Sequence, residues 1–311
     1  MADGQRDGFT QRTDMARSAR SCRDENGNVQ RRPARALGCA YVDSMESKAV
    51  VRRLELSTGI ELSYIASGPS GTLPVLLLHA WAESRRAFDQ LRALLPNTVR
   101  VIAIDQRGHG DADVPQTGYS LTDFADDVEA FMKAASLPSA ILLGVSSGGY
   151  VAQQVAVTNP QRVAGLVLVG SPRTLQGRSR FSDEVDQLLD PVPETWVRDS
   201  LAWFPRFHAV PQSYIEDRVR DGAHTPAHVW RETFNGLCAA APPTDTGTIT
   251  CPTLIVWGDR DELLSREQQE DLADAIPDSQ LVAYENTGHL VLWEQPERVA
   301  RDLTAFVEGL A

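Results

Sequence analysis

Apolar and polar positions alternate in two different rhythms along this chain. Val51-Arg-Arg-Leu-Glu-Leu56 and Ile60-Glu-Leu-Ser-Tyr-Ile-Ala66 alternate with a period of two around Ser57-Thr-Gly59. That pattern predicts a hairpin with one face in water. Six later runs are mainly apolar without alternation: 74–79, 99–105, 140–144, 163–170, 253–258 and 280–285. Continuous runs predict strands buried on both faces, as in a parallel sheet. Stretches with helical periodicity stand among them, at about 84–95, 120–136, 147–159, 265–277 and 296–310. Strand–helix alternation predicts an α/β fold with a mostly parallel sheet and helices on both faces.

One connection breaks the rhythm. Between Gly170 and Cys251 about eighty residues carry no buried-strand signal, but several prolines and many aromatic residues, including Trp203, Phe204, Phe207 and Trp230. A connection this long inside a compact domain is expected to be functional. We expect a helical cap over 172–249 whose aromatics Trp203, Phe204, Phe207 and Trp230 meet the substrate. The core would then comprise 49–171 and 250–311. Residues 1–48 are rich in Arg, Asp, Gly, Asn and Gln and have no sustained period, so they read as a disordered N-terminal extension. Arg31-Arg32 and Ala36-Leu-Gly-Cys39 resemble export signals but lack an apolar segment beside them.

Composition narrows the choice of partners. A net charge of -12 disfavours nucleic acid and anionic membrane surfaces. No apolar run approaches the roughly 20 residues of a membrane span. The four cysteines show no metal or redox spacing. His224 and His228 stand four apart, but Pro226 between them spoils a shared helical face. A cytoplasmic, metal-free protein without a cofactor, monomeric or homodimeric, is expected to act on a small molecule.

The candidate chemistry sits at strand ends, where catalytic groups of such sheets belong. Gly144-Val-Ser-Ser-Gly148 follows one buried run and opens a helix, which is G-x-S-x-G in a strand–turn–helix setting. The turn exposes the Ser146 hydroxyl, and the Ser147 amide begins a helix whose N–H groups favour an anion. The amide of Trp81, after the run ending at His79, is the candidate for a second oxyanion donor. Trp257-Gly-Asp-Arg-Asp261 offers two carboxylates, Asp259 and Asp261, that could orient a histidine. Gly288-His289 offers the base. A serine hydroxyl needs such a base in contact with it, and the base needs an acid to fix its tautomer. Asp259 directly follows the turn at Gly258 and is flanked by Arg260, so a local ion pair or a turn-capping hydrogen bond is its expected role, and Asp261 is the expected partner of His289.

These stretches, together with Asp105-Gln-Arg-Gly-His-Gly110 and Glu294-Gln-Pro296, resemble the α/β-hydrolase fold superfamily over residues 50 to 311. The resemblance implies an eight-stranded sheet, a helical cap between strands six and seven, and a Ser146–Asp261–His289 triad. Three positions differ from the usual pattern: Ala80 after His79, Asp111 after Arg-Gly-His-Gly, and Ser265 where a proline often ends the acid loop. Serine at 146 argues against the epoxide hydrolase and haloalkane dehalogenase branches, which carry aspartate there. The expected activity is cofactor-independent hydrolysis of a carboxylic ester or lactone of apolar or aromatic character. Carbon–carbon bond hydrolysis, a lyase or cofactor-free oxygenase reaction, or a non-catalytic receptor on the same fold are the alternatives.

Overall fold

Among residues 50–177 and 181–310, which the computed structural model describes, eight strands form one sheet. They are β1 (Arg52–Glu55), β2 (Glu61–Ser67), β3 (Val75–Leu78), β4 (Val101–Ile104), β5 (Ala140–Val145), β6 (Val163–Val169), β7 (Thr253–Gly258) and β8 (Ser279–Tyr284). Their spatial order is β1-β2-β4-β3-β5-β6-β7-β8. The hairpin β1–β2 and the pair β2–β4 are antiparallel, and every other pairing is parallel. The disordered extension expected for 1–48 lies outside the described residues.

The central strands read as unbroken apolar runs because both faces are covered. Leu76, Leu78, Ile102, Ile104, Leu142 and Leu168 pack into one core. Their neighbours Val75, Leu77, Val101, Ala103, Leu143 and Val169 pack into another. This is the period-two geometry of a strand with apolar residues at both phases. The helices that follow supply the two covers: α1 (Asp89–Leu94) after a 3-10 turn at Arg85–Phe88, α2 (Leu121–Ala134) and α3 (Ser147–Thr158). Leu91 of α1 joins the second core, whereas Phe124, Val128 and Phe131 of α2 and Val151 and Val155 of α3 join the first. Ser120 starts α2 with a reciprocal capping box to Asp123, a device that stabilises by about 1 kcal/mol.

Between β6 and β7 the chain forms α4 (Ser182–Asp186), α5 (Glu194–Ser200), α6 (Gln212–His224), α7 (Ala227–Ala239) and α8 (Pro243–Thr246). This insertion has its own apolar cluster, built on Phe181, Val185, Val197, Val219, Trp230 and Phe234. The chain then returns through β7 to α9 (Arg266–Asp274), β8, α10 (Val291–Glu294) and α11 (Pro296–Gly309). Ser265, the residue that departs from the usual proline, is the N-cap of α9 and forms a capping box with Gln268. Asp111, another departure, accepts from Arg85 at 2.8 Å.

One strand differs from expectation. β8 was expected to be buried on both faces, but most of its residues are only half-buried and Gln280 is exposed. It is the outermost strand beside β7, so the layers that enclose the central strands cover it incompletely.

Candidate active site

The turn after β5 is tight. Ser146 has φ 48° and ψ -119°, a left-handed conformation that costs a non-glycine residue about 1–3 kcal/mol. The arms beside it must pass without side chains. A Cβ on Gly144 would stand 2.4 Å from the carbonyl oxygen of Gly148, and one on Gly148 would stand 2.3 Å from that of Leu78. Neither contact is open to any other residue.

Three strand ends then converge. Ser146 Oγ lies 3.1 Å from His289 Nε2, and His289 Nδ1 lies 2.8 Å from Asp261 Oδ2. With Nδ1–H donating to the carboxylate, Nε2 is left to accept from the serine hydroxyl. The other Asp261 oxygen accepts from the amides of Leu263 at 2.8 Å and Leu264 at 3.0 Å, which fixes the carboxylate plane. Both Asp261 and His289 are buried. Asp259 does a different job: its Oδ1 accepts from the Thr287 amide at 3.4 Å, bracing the loop that leads to His289. Arg260 turns away from Asp259 and lies over the Phe207 ring at 4.8 Å.

The His289 loop is held from a second side. Glu294 Oε1 accepts from the Gly288 amide at 2.9 Å, while Oε2 accepts from the amides of Phe207 at 2.6 Å and His208 at 2.9 Å. A single buried carboxylate thereby joins the loop to the insertion.

Behind the Trp81 loop two histidines stay neutral. Burial pushes His79 down to about 4 and His109 down to about 3. His79 donates from Nδ1 to the Ala80 carbonyl at 2.8 Å and accepts from the Gln106 amide at 3.0 Å. His109 donates from Nδ1 to the Arg107 carbonyl at 2.8 Å. His79 therefore supports the loop, and His109 braces its own turn. The Trp81 amide donates to Ser147 Oγ at 2.7 Å, and the Trp81 indole donates to the Trp230 carbonyl at 3.1 Å.

A cavity of about 150 Å³ opens at Ser146 and His289. Of the four aromatics expected to meet a substrate, Trp203, Phe204 and Trp230 line it. Phe204 also stacks on the His289 ring, with centroids 5.2 Å apart. Phe207 does not line it. The grip of Glu294 on its backbone and the Arg260 contact hold its ring elsewhere, which corrects the expectation. His224 and His228 are also separated, bonding to the carbonyls of Arg220 and Pro115. The cavity further includes Phe181, Phe234, Cys238 and a polar group of Glu83 and Arg218, none of which the sequence singled out as substrate contacts.

A sheet of this order, with a strained serine after its fifth strand and a histidine after its last, defines a class. Residues 74–296 match the family described as alpha/beta hydrolase fold, and the chain belongs to that family. It is 31% identical over 272 residues to the non-heme chloroperoxidase of Streptomyces lividans, covering 81% of this chain and 98% of that protein. It is also similar to two solved esterases, each 27% identical and covering 84% of this chain and 99% of theirs. One, from Thermogutta terrifontis, has a TM-score of 0.72, and the other, from Rhodococcus, 0.74. No helix among the described residues is long and apolar enough to cross a membrane.

Proposed function

We propose that this protein is a serine hydrolase that needs no cofactor and cleaves a carboxylic ester or lactone through an acyl-enzyme. The observation that carries the reading is the unbroken hydrogen-bonded series from Ser146 through His289 to Asp261 at the floor of an apolar cavity. In this reading His289 Nε2 takes the hydroxyl proton as Ser146 Oγ adds to the carbonyl carbon. The same proton then goes to the leaving alkoxide. Asp261 stabilises the imidazolium without itself becoming protonated. The amides of Trp81 and Ser147 receive the oxyanion, each worth roughly two to three orders of magnitude in rate. Water, deprotonated by His289, releases the acid in the second half.

The insertion over 172–249 serves as the cap, and its aromatics favour an apolar or aromatic small molecule. Similarity to esterases from two sources supports the ester reading. Labelling with a fluorophosphonate and turnover of p-nitrophenyl butyrate, both absent in Ser146→Ala, are the expected results. A protein that binds esters but neither labels nor turns them over is a receptor, and the proposal falls.

A further inference from the structure

The cavity has one end that ester hydrolysis leaves unexplained. Arg218 on α6 lines it and is 3% exposed. Its Nη2 meets Asp221 Oδ2 at 3.0 Å, and its guanidinium lies 5.0 Å from the centre of the Tyr214 ring. Nε and Nη1 are buried and meet no acceptor. Nearly all buried polar groups are satisfied, and a guanidinium with two unmet nitrogens calls for a partner that is not part of the chain.

The nearby acceptors have donors or partners of their own. Asp221 Oδ2 also takes the Ser84 hydroxyl at 2.6 Å. Glu83 lines the same cavity, and its two oxygens accept from the Trp293 indole at 3.0 Å and the Ala80 amide at 3.3 Å. The Tyr214 hydroxyl turns away to the Ala87 carbonyl at 2.7 Å. Two carboxyl groups thus accompany one guanidinium, and burial raises the pKa of Glu83. A third carboxyl group, from a ligand, would crowd a third acid against one guanidinium, and buried unpaired charge is strongly disfavoured. A carbonyl oxygen fits: it accepts from Arg218 and adds no charge.

We infer that Arg218 is a specificity residue that receives an uncharged carbonyl oxygen of the substrate, a keto, amide or second ester group remote from the bond that Ser146 attacks. This rests on the serine hydrolase reading for its substrate class but not for the binding it describes. The scissile ester is set by Ser146, the second oxygen by Arg218, and the aromatic wall accommodates what lies between.

Three ethyl esters of similar length test it: ethyl 5-oxohexanoate, ethyl hexanoate and monoethyl adipate. The full chain is expected to favour the keto ester over ethyl hexanoate by about ten- to a hundredfold in kcat/KM, the range for losing one hydrogen bond to a charged group. Monoethyl adipate should be poorer than the keto ester. Arg218→Met should reduce the keto preference below about threefold, and Arg218→Lys should restore part of it. Each preference is a ratio within one preparation, so a partly unfolded variant does not distort it. A preference that is absent in the wild type, or unchanged in Arg218→Met, overturns the inference. A preference for monoethyl adipate that Arg218→Met abolishes overturns the uncharged class. Calorimetry on Ser146→Ala separates this from the hydrolase reading, because it needs no turnover. Ethyl 5-oxohexanoate should bind that variant at least fivefold more tightly than ethyl hexanoate, and the difference should vanish in Ser146→Ala/Arg218→Met. Equal binding of the two esters overturns the inference even if hydrolysis is real.

Discussion

The Trp81 amide donates to Ser147 Oγ at 2.7 Å, so one of the two proposed oxyanion donors already holds an acceptor. A substrate oxygen has to displace that hydroxyl before it can use the amide. Ser147→Ala keeps the backbone N–H of residue 147 and removes the competitor. A boronic acid that mimics the tetrahedral intermediate is expected to bind this variant about two- to tenfold more tightly, the span of an ordinary hydrogen bond. Weaker binding, measured by inhibition, would mean that the Ser147 hydroxyl itself donates to the oxyanion.

Ser146 gives two separate expectations. Ser146→Ala should lower kcat by several orders of magnitude; in subtilisin, loss of the nucleophile costs about a million-fold. The φ of 48° adds a prediction about stability. Glycine accepts that conformation and alanine does not, so Ser146→Gly should be about 1 kcal/mol more stable than Ser146→Ala. Urea unfolding of the two inactive proteins measures this. An equal or reversed ranking shows that the turn is not strained.

The two carboxylates after β7 have different partners and should respond differently. Asp261→Asn removes the acceptor from His289 Nδ1 and is expected to cost about three to four orders of magnitude in kcat. Asp259→Asn loses one long hydrogen bond to the Thr287 amide and should cost less than about tenfold. Rates at pH 7–8, with folding checked by circular dichroism, rank them. The reverse ranking would give the acid role to Asp259.

His109 should make the fold sensitive to acid. Its folded pKa is about 3, below the ordinary 6.5. Above pH 6.5 the side chain is neutral in both states, and its contribution to stability is fully present. As pH falls from 6.5 toward 3 the unfolded chain takes up a proton that the folded one refuses, so stability is lost by up to about 1.4 kcal/mol per pH unit. His109→Asn keeps a donor for the Arg107 carbonyl and removes the titration. Urea midpoints between pH 4 and 6.5 should fall less steeply in the variant than in the wild type. Parallel slopes would refute the assignment.

Trp203 and Phe207 should part company. Trp203→Ala enlarges the cavity and is expected to shift the preferred acyl length, with discrimination changing by about 1–3 kcal/mol per methylene. Phe207→Ala should leave the profile of p-nitrophenyl esters unchanged and lower the melting temperature. Equal profiles for Trp203→Ala and wild type would remove Trp203 from the substrate contacts.

What the sequence made legible was whatever is encoded locally. Val75 to Leu78 reads as a buried strand because both of its phases are apolar, and both phases do pack. The Ser146 turn is legible because its two glycines and serine lie within five residues. β8 misled because Leu281-Val-Ala-Tyr284 is apolar whether or not anything covers it, and position in the sheet is not written in the strand. Phe204 and Phe207 are alike in composition and three residues apart. The distant Glu294, gripping the backbone of Phe207, and Arg260, lying over its ring, separate their fates. Nothing in the sequence singles out Arg218 or marks it as buried. Its burial depends in part on Ser84 meeting Asp221 across 137 positions of chain.

Glu294 also limits how this enzyme could be rebuilt. Its carboxylate binds residues 207 and 208 through their N–H groups alone, indifferent to what side chains they carry. Any pair of amino acids except proline could stand there, provided the main chain follows the same path. Insertions borrowed from relatives would therefore be compatible or not by the course of their backbone at that one point. A graft that strays from it would leave the oxygen buried without donors and loosen the loop of His289 with it. Diversity on this scaffold is free in letters and restricted in route.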